Sequence, residues 1–184
     1  MGRAAAHPAG YGGAMPTPHR LVVMRHAKSS WSAPEPDHLR PLKKRGKRDG
    51  LAAGQWLADH LGPLDRVLSS PSARTRQTWE RARAGGATAG EVTFHDHLYG
   101  EGAGAFTRLL RKLPESTGTA LVLGHWPDVE ELTRGLAPRD GHPGWESMDR
   151  KFPTSAIAVL DIPVPWAELA PGVATLVDYV VPRG

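Results

Sequence analysis

The sequence predicts an α/β protein, a three-layer α/β/α sandwich in which helices cover both faces of a mostly parallel sheet. Short apolar runs alternate along the 184 residues with longer segments whose apolar residues recur at helical spacing. Alternation of this kind is typical of parallel sheets with crossover helices on both faces. The hydrophobic content of 40% and the charged content of 23% are those of a globular protein rather than a disordered one.

The first half of the chain supplies three strands and two helices. LVVM at 21–24 is an apolar run that predicts a strand ending at Arg25, and the segment 43–61 repeats leucine, alanine and tryptophan on one helical face. RVLS at 66–69 is the next short strand. Pro71 fits the first position of a helix that runs to about Arg83, because proline needs no N–H there. A third strand is predicted at 92–98.

The second half repeats the pattern and ends in two strands. A helix at 103–113 precedes the buried strand ALVLG at 120–124, and another helix follows at 128–136. Strands at 156–162 and 174–181 are close enough in sequence to pair antiparallel at an edge of the sheet. The segment between the last helix and these strands, 140–151, has no periodicity, and we expect a loop that borders the ligand site.

We expect residues 19–184 to form a single domain and residues 1–18 to be a disordered extension, rich in glycine and proline. The extension lacks the apolar centre of a signal peptide, and no apolar run approaches the roughly 18 residues that span a bilayer. The chain has no cysteine, which excludes disulfides and a cysteine nucleophile. These features predict a cytoplasmic protein that makes no membrane contact.

Polar residues follow three of the predicted strands. The first strand ends in Arg25-His26, the second leads through SSP to Arg74 in the next helix, and the strand at 120–124 ends before His125. Ligands of open α/β sheets bind beyond the carboxyl ends of the strands, so these side chains are expected to converge.

Two arginines and two histidines form a set that suits a phosphoryl group. The planar fork of arginine pairs with phosphate oxygens, and a neutral imidazole is a competent nucleophile at phosphorus. The second histidine, if protonated, would stabilise the equatorial oxygens. Ala27 and Gly124 are small, and we expect them to let the backbone approach a bound anion closely.

Three other features carry weaker signals. The basic run at 43–48 is interpreted as the solvated start of a helix, with a phosphate-steering or nucleic-acid-binding face as the alternative. The six tryptophans show no stacking pattern, so no nucleic-acid partner is expected. His95 and His97 form an H-x-H pair without further ligands at suitable spacing, which favours surface histidines over a metal site.

These motifs resemble the histidine phosphatase superfamily, which has the phosphoglycerate-mutase-like fold, and within it the short SixA-type branch of phosphohistidine phosphatases. The resemblance spans residues 20–161 and is carried by LVVMRHAKSSW, LRPLKKRG, VLSSPSARTRQT, LVLGHWPDVEEL and FPTSAIAVL. It implies that His26 is the phospho-accepting nucleophile, that Arg25 and Arg74 bind the phosphate oxygens, and that His125 completes the cage. The family pattern selects Arg74 over Arg76, and residues two apart on a helix do point to different sides.

The sequence departs from the larger relatives at the residue that protonates the leaving group. Asp96 and Glu101 are the candidates in the corresponding segment, and neither lies in a clear motif. SixA-type members share this lack, which a phosphorylated imidazole tolerates because it can leave already protonated. Trp126 stands where relatives often have asparagine; it either forms a wall of the pocket or packs on the following helix. Lys28 either adds positive potential beside the phosphate or is simply exposed.

The resemblance therefore implies a phosphatase that needs neither a metal nor a cofactor. Its expected substrates are phosphohistidine in proteins or small phosphomonoesters, hydrolysed through a covalent phosphohistidine intermediate. The alternative is a non-catalytic module that binds phosphorylated partners, and the complete set of arginines and histidines favours the enzyme. The absence of large inserted segments predicts an open site, which suits a phosphorylated protein side chain. The four cage residues are the predicted catalytic set, with Lys28 and Trp126 as candidate substrate-binding residues.

Overall fold

The computed structural model describes residues 18–32 and 35–184, so the extension predicted for 1–18 lies outside the described residues except at its last position. A single six-stranded sheet has the order β3-β2-β4-β1-β5-β6. The strands β3, β2, β4 and β1 are parallel to one another, whereas β5 is antiparallel to both β1 and β6. The strands are β1 (His19–Arg25), β2 (Leu64–Ser69), β3 (Ala89–Phe94), β4 (Thr119–Gly124), β5 (Ile157–Ile162) and β6 (Thr175–Val180).

In the described residues, five α-helices cover the two faces of the sheet and complete the predicted three layers. The helices α1 and α2 pack on one face, and α3, α4 and α5 pack on the other. Within the described part of the chain, no helix is long and apolar enough to cross a membrane. The helices are α1 (Lys44–Leu61), α2 (Ala73–Ala84), α3 (Ala103–Leu110), α4 (Asp128–Leu136) and α5 (Gly144–Arg150).

The central strand β1 is buried on both faces, which explains its unbroken apolar sequence. Leu21 and Val23 point into the core beneath α3–α5, and Val22 and Met24 point into the core beneath α1 and α2. All four are fully buried. Each such side chain contributes about 1.5–3 kcal/mol when buried. This burial fixes the position at which the chain leaves the sheet after Arg25.

Most predicted elements are confirmed, and four boundaries or assignments are corrected. The strand predicted at 92–98 ends at Phe94, because the chain turns at Asp96–Leu98 to bury Leu98. The helix after β2 begins at Ala73 rather than at Pro71, with Ser72 as its N-cap. The helix predicted to reach residue 113 ends at 110, shortly before a proline that cannot continue it.

The segment 140–151, predicted as a loop, contains α5. Its buried residues Trp145 and Met148 are three apart, so this short helix shows only one turn of apolar periodicity. A single helical turn is too short for apolar periodicity to predict a helix. As expected, this segment lies beside the site, because residues 148–151 line a cleft that shares Arg25 and Trp126 with the pocket at the carboxyl edge of the sheet.

Two glycines let α1 pack closer than any side chain would allow. A Cβ at Gly46 would lie 2.1 Å from the carbonyl oxygen of Lys28, and one at Gly54 would lie 1.9 Å from that of Ala82. The Lys43 N–H also donates to the Lys28 carbonyl oxygen at 2.9 Å. The start of α1 therefore holds the segment that follows β1 by direct backbone contact.

Candidate active site

Three neighbouring parallel strands, β2, β4 and β1, end at the same edge of the sheet. Arg25 pairs in register with Gly124, and Ser69 pairs with Leu123. The hydrogen-bond ladder continues one residue further, because the His26 N–H donates to the Gly124 carbonyl oxygen at 3.0 Å. The structure thus brings together the polar residues that the sequence places after each strand.

A pocket of about 290 Å³ opens at this edge. Of the described residues that line it, four are basic and none is acidic, so the pocket suits an anion. All six residues that the sequence predicts for the site line this pocket, namely the four cage residues together with Lys28 and Trp126. Its lining consists of Arg25, His26, Lys28, Ser29, Trp31, Arg40, Arg74, His125, Trp126 and Thr154.

The side chain of His26 is buried and its orientation is fixed by the backbone. Its Nδ1 lies 2.7 Å from the carbonyl oxygen of Ala27, an acceptor, so Nδ1 carries the proton and donates it. The lone pair is then on Nε2. Burial lowers the pKa of His26 well below its ordinary value, and the neighbouring His125, Arg74 and Arg25 lower it further. His26 is therefore neutral at physiological pH, with Nε2 available as a nucleophile.

His125 lies beside His26, with the two ring centroids 5.1 Å apart. Its Nε2 is 2.9 Å from the hydroxyl of Ser70, which itself accepts the Ser72 N–H and can donate its proton to the ring. Nδ1 then carries the imidazole proton. Burial, followed by the charge of Arg74, lowers the pKa of His125 to about 3. The surrounding protein groups therefore favour a neutral His125 that offers Nδ1–H as a hydrogen-bond donor, in contrast to the protonated histidine expected from the sequence.

Arg25 and Arg74 are each held by acceptors outside the pocket. An Nη of Arg25 donates to the Phe152 carbonyl oxygen at 2.7 Å. The two Nη atoms of Arg74 donate to Asp37, one to its carbonyl oxygen at 2.7 Å and one to its carboxylate at 3.1 Å. These contacts orient both guanidinium groups while leaving their Nε–H donors free.

Buried polar atoms without a partner concentrate at this site. Among residues 18–32 and 35–184, the buried side-chain atoms that lack a hydrogen-bond partner are Arg25 Nε, Arg74 Nε, His125 Nδ1 and Ser155 Oγ. Three belong to residues that line the pocket, and the N–H of Ser155 bonds the carbonyl oxygens of Arg25 and His26 at 3.2 Å each. A buried donor without a partner costs about 1–3 kcal/mol. A ligand with several acceptor oxygens in the pocket could supply partners for the three that belong to lining residues.

A buried hydroxyl links the turn after β1 to α2. Thr78 Oγ1 accepts the Ala27 N–H at 2.9 Å and donates to the Arg74 carbonyl oxygen at 2.6 Å. The Ala27 N–H is therefore occupied and cannot serve an anion. Gly124 is small for another reason, since a Cβ there would lie 2.6 Å from the ring of Phe106. The expectation that an anion approaches the backbone is therefore wrong for the Ala27 N–H and stays a prediction for Gly124.

Sequence reasoning missed the residues that support Arg74. The carboxylate of Asp37 also accepts the Arg40 Nε–H at 2.8 Å and the hydroxyl of Tyr99. The Tyr99 hydrogen bond and the nearby Arg74 lower the pKa of Asp37 to about 2, so this carboxylate stays ionised. Arg40 lies inside the motif LRPLKKRG and could have been singled out there. Asp37 and Tyr99 carry no comparable signal, because they meet Arg74 only in the folded chain.

Two exposed tryptophans stand at the mouth of the pocket. Trp31 is 72% exposed, and the guanidinium of Arg40 lies 3.5 Å from its ring centroid. Trp126 is 55% exposed, and its Nε1–H donates to Glu130 on α4 at 2.9 Å. Trp126 therefore forms part of the pocket wall, and its link to the following helix is a hydrogen bond rather than packing.

Several sequence candidates lie elsewhere. Glu101 pairs with His97 at 2.7 Å and with Arg108 at 3.2 Å, and Asp96 is exposed; neither lines the pocket. Arg76 is exposed, with its Nε–H bonded to a backbone carbonyl oxygen. No group of three potential metal ligands occurs within the described ranges.

The basic run at 43–48 forms the first turns of α1, and its lysines and arginines are exposed. This agrees with the interpretation of the run as a solvated helix start. One of its arginines, Arg45, pairs with Asp49 one turn further along at 3.3 Å.

Comparisons with known proteins agree with this geometry. Residues 21–126 match the model of the histidine phosphatase superfamily (branch 1). An uncharacterized protein of Mycobacterium tuberculosis is 39% identical over 162 residues, covering 87% of this chain and 100% of the relative. The phosphohistidine phosphatase SixA of Escherichia coli is 30% identical over 142 residues, covering 76% of this chain and 83% of the relative. The solved structure of the protein histidine phosphatase SixA complexed with tungstate gives a TM-score of 0.73 at 26% identity, covering 89% of this chain and 97% of the other.

Proposed function

Because the chain belongs to the histidine phosphatase superfamily (branch 1), we propose that it is a phosphatase in which His26 receives a phosphoryl group from phosphohistidine in proteins or from small phosphomonoesters. The observation that carries the proposal is the set of three buried, unpartnered donors around a neutral imidazole, Arg25 Nε, Arg74 Nε and His125 Nδ1. Its SixA relatives include one named as a phosphohistidine phosphatase and one solved with tungstate, an oxyanion.

The first chemical step transfers the phosphoryl group to His26. The Nε2 lone pair attacks phosphorus, an Nε2–P bond forms, and the bond from phosphorus to the leaving atom breaks. Negative charge spreads over the equatorial oxygens, where Arg25 and Arg74 donate charge-assisted hydrogen bonds. His125 donates a neutral hydrogen bond from Nδ1. The low pKa of His26 keeps its lone pair available without a separate base.

The second step removes the phosphoryl group with water. Water attacks phosphorus, the Nε2–P bond breaks, its electron pair returns to Nε2, and the water proton leaves with phosphate or solvent. No carboxylic acid among the described residues lines the pocket to protonate a leaving group. A phosphorylated imidazole whose other nitrogen carries a proton leaves as a neutral molecule. The lining therefore favours phosphohistidine over alkyl phosphates.

The remaining parts of the proposal concern the cofactor, the partner and the location. The arginines supply the positive charge that a metal ion provides in other phosphatases, so the reaction is proposed to be independent of metal and cofactor. The partner is a phosphorylated protein or a small phosphate ester. The cytoplasmic location stays a prediction from the sequence.

The test compares wild type with His26→Ala and His97→Ala on a generic aryl phosphate. We expect His26→Ala to lower kcat/KM at least about a thousandfold, because the nucleophile is lost. The His97→Ala control changes an exposed histidine outside the pocket and retains activity. Mass spectrometry of wild type stopped during turnover should show an acid-labile phosphoryl group that is absent from His26→Ala. Full activity of His26→Ala would contradict the proposal, and phosphate binding without turnover would indicate the non-catalytic module.

A further inference from the structure

A second cavity, here called the α5 cleft, lies directly beside the phosphate pocket. Its volume is about 440 Å³, and it shares Arg25 and Trp126 with the pocket. The buried side chains of Met148 and Phe152 form an apolar part of its lining. A ligand whose phosphoryl group sits at His26 can therefore extend past the indole of Trp126 into this cleft.

The α5 cleft is held in shape by hydrogen bonds to the backbone at its far side. Arg25 donates to the Phe152 carbonyl oxygen at 2.7 Å, and the hydroxyl of Tyr179 on β6 donates to the Lys151 carbonyl oxygen at 3.0 Å. The rings of Phe152 and Tyr179 contact edge to face, with centroids 5.5 Å apart. The cleft is thus present before a ligand binds, which lowers the cost of ordering it.

The acidic side chains of the α5 cleft are already neutralised by arginines. Glu130 pairs with Arg134 at 2.9 Å. Asp149 pairs with Arg134 at 3.1 Å and also with Arg139. Neither carboxylate offers an uncompensated negative charge to a ligand.

The basic side chains at the end of α5 have no such partner. Arg150 and Lys151 are exposed, and within the described ranges neither forms an ion pair with a carboxylate. Arg150 donates only to the hydroxyl of Ser147, at 3.2 Å. Together with Arg25, these two cations give the cleft an excess of positive charge that an acidic group would complement.

Resting on the proposed function, we propose that the α5 cleft binds the polypeptide that flanks the phosphorylated side chain of a protein substrate and selects an acidic residue there. A volume of this size exceeds what one imidazole ring needs, and the exposed Trp126, Arg150 and Lys151 leave the cleft open to solvent so that a chain can pass through. The exposed indole of Trp126 contacts the aliphatic parts of the peptide, and Arg150 and Lys151 pair with its carboxylate.

The test uses two peptides that carry a stable phosphonate analogue of phosphohistidine and differ only in having glutamate or lysine at the two neighbouring positions. We expect wild type to bind the glutamate peptide about fivefold more tightly, the size of one exposed ion pair. Arg150→Gln with Lys151→Gln should abolish the preference, and Arg150→Glu with Lys151→Glu should reverse it. The control, Lys47→Glu with Lys112→Glu, makes the same change in net charge at exposed sites away from the cleft and should keep the preference.

The binding measurement tests the peptide preference of the α5 cleft independently of catalysis. Equal affinity of wild type for the two peptides, binding of neither, or a preference that survives Arg150→Glu with Lys151→Glu would overturn the inference. Because binding is measured, a protein that binds without turnover still tests it. The aryl phosphate assay with His26→Ala decides the proposed function independently.

Discussion

The floor of the pocket at the carboxyl edge of the sheet and its rim are held in place by different forces. The floor consists of Arg25, His26, Arg74 and His125, which follow buried strands or begin α2. The rim consists of the exposed tryptophans Trp31 and Trp126 and the segments that carry them. Floor residues are fixed by the hydrogen-bond ladder of the sheet and by bonds to backbone carbonyl oxygens. Rim residues are fixed mostly by side-chain contacts, such as Arg40 on Trp31 and Glu130 on Trp126.

This difference separates the chemistry of the site from its choice of substrate. Floor residues are tied to the sheet or to backbone carbonyl oxygens, so under the proposed function the phosphoryl group would meet the same geometry whatever carries it. Rim side chains are exposed and can adapt to, or select among, different leaving groups. We therefore expect large, substrate-independent losses from changes in the floor and smaller, substrate-dependent effects from changes in the rim.

The largest effect should separate two arginines on the same helix. Arg74→Ala removes a floor guanidinium and should lower kcat/KM about a hundredfold, since charge-assisted hydrogen bonds are worth about 1.5–3 kcal/mol each. Arg76→Ala, two residues further along α2, should change kcat/KM less than twofold because Arg76 is exposed and outside the pocket. Steady-state kinetics on an aryl phosphate measure both, and similar losses would contradict the assignment of the floor.

The next largest effect on kcat/KM should come from His125, the second histidine of the floor. His125→Ala should lower kcat/KM about tenfold, the lower end of the range for one hydrogen bond to a charged group. His125→Asn should recover part of that activity, because its amide nitrogen can occupy the position of Nδ1. Failure of asparagine to recover activity would argue against Nδ1 as the donor.

The same residue links stability to pH. The folded-state pKa of His125 is about 3, below the ordinary value of 6.5, so the unfolded chain binds the extra proton between these values. The His125 contribution to stability is thus fully present above pH 6.5 and is lost as pH falls towards 3, by an amount on the order of a few kcal/mol. Urea unfolding at several pH values measures the free energy of unfolding. Between pH 6.5 and 3 this free energy should fall less steeply for His125→Asn than for wild type, and equal slopes for the two proteins would contradict the prediction.

The smallest effect should come from Asp37, which joins rim and floor. Asp37→Asn should lower kcat/KM about threefold, because an exposed carboxylate contributes at most about 1 kcal/mol to holding Arg74. The Asp37 carbonyl oxygen still accepts from Arg74 in this variant. In the background of Arg74→Ala, Asp37→Asn should have no further effect, and an additive loss in the double variant would show that Asp37 acts elsewhere.

Much of the fold and site could be predicted because the signals are local. The apolar run 21–24 predicts a buried strand, and the residues that follow a parallel strand must emerge at its carboxyl edge. The α5 helix was missed because it is short and shows only one turn of periodicity. The general acid candidates Asp96 and Glu101 were suggested by chain position alone, and the turn after β3 directs Glu101 to His97 and Arg108 instead.

The sequence by itself determined the mostly parallel α/β sheet and the residues His26, Arg25, Arg74 and His125 at its edge. Arg25 ends β1, His26 and His125 directly follow β1 and β4, and Arg74 lies in the first turn of the helix after β2. The position of each is therefore set by residues close to it in the sequence. Only the tertiary structure decided the ionisation of the histidines, the support of Arg74 by Asp37 and Tyr99, and the α5 cleft. These depend on burial and on contacts between residues distant in sequence, which no local pattern records.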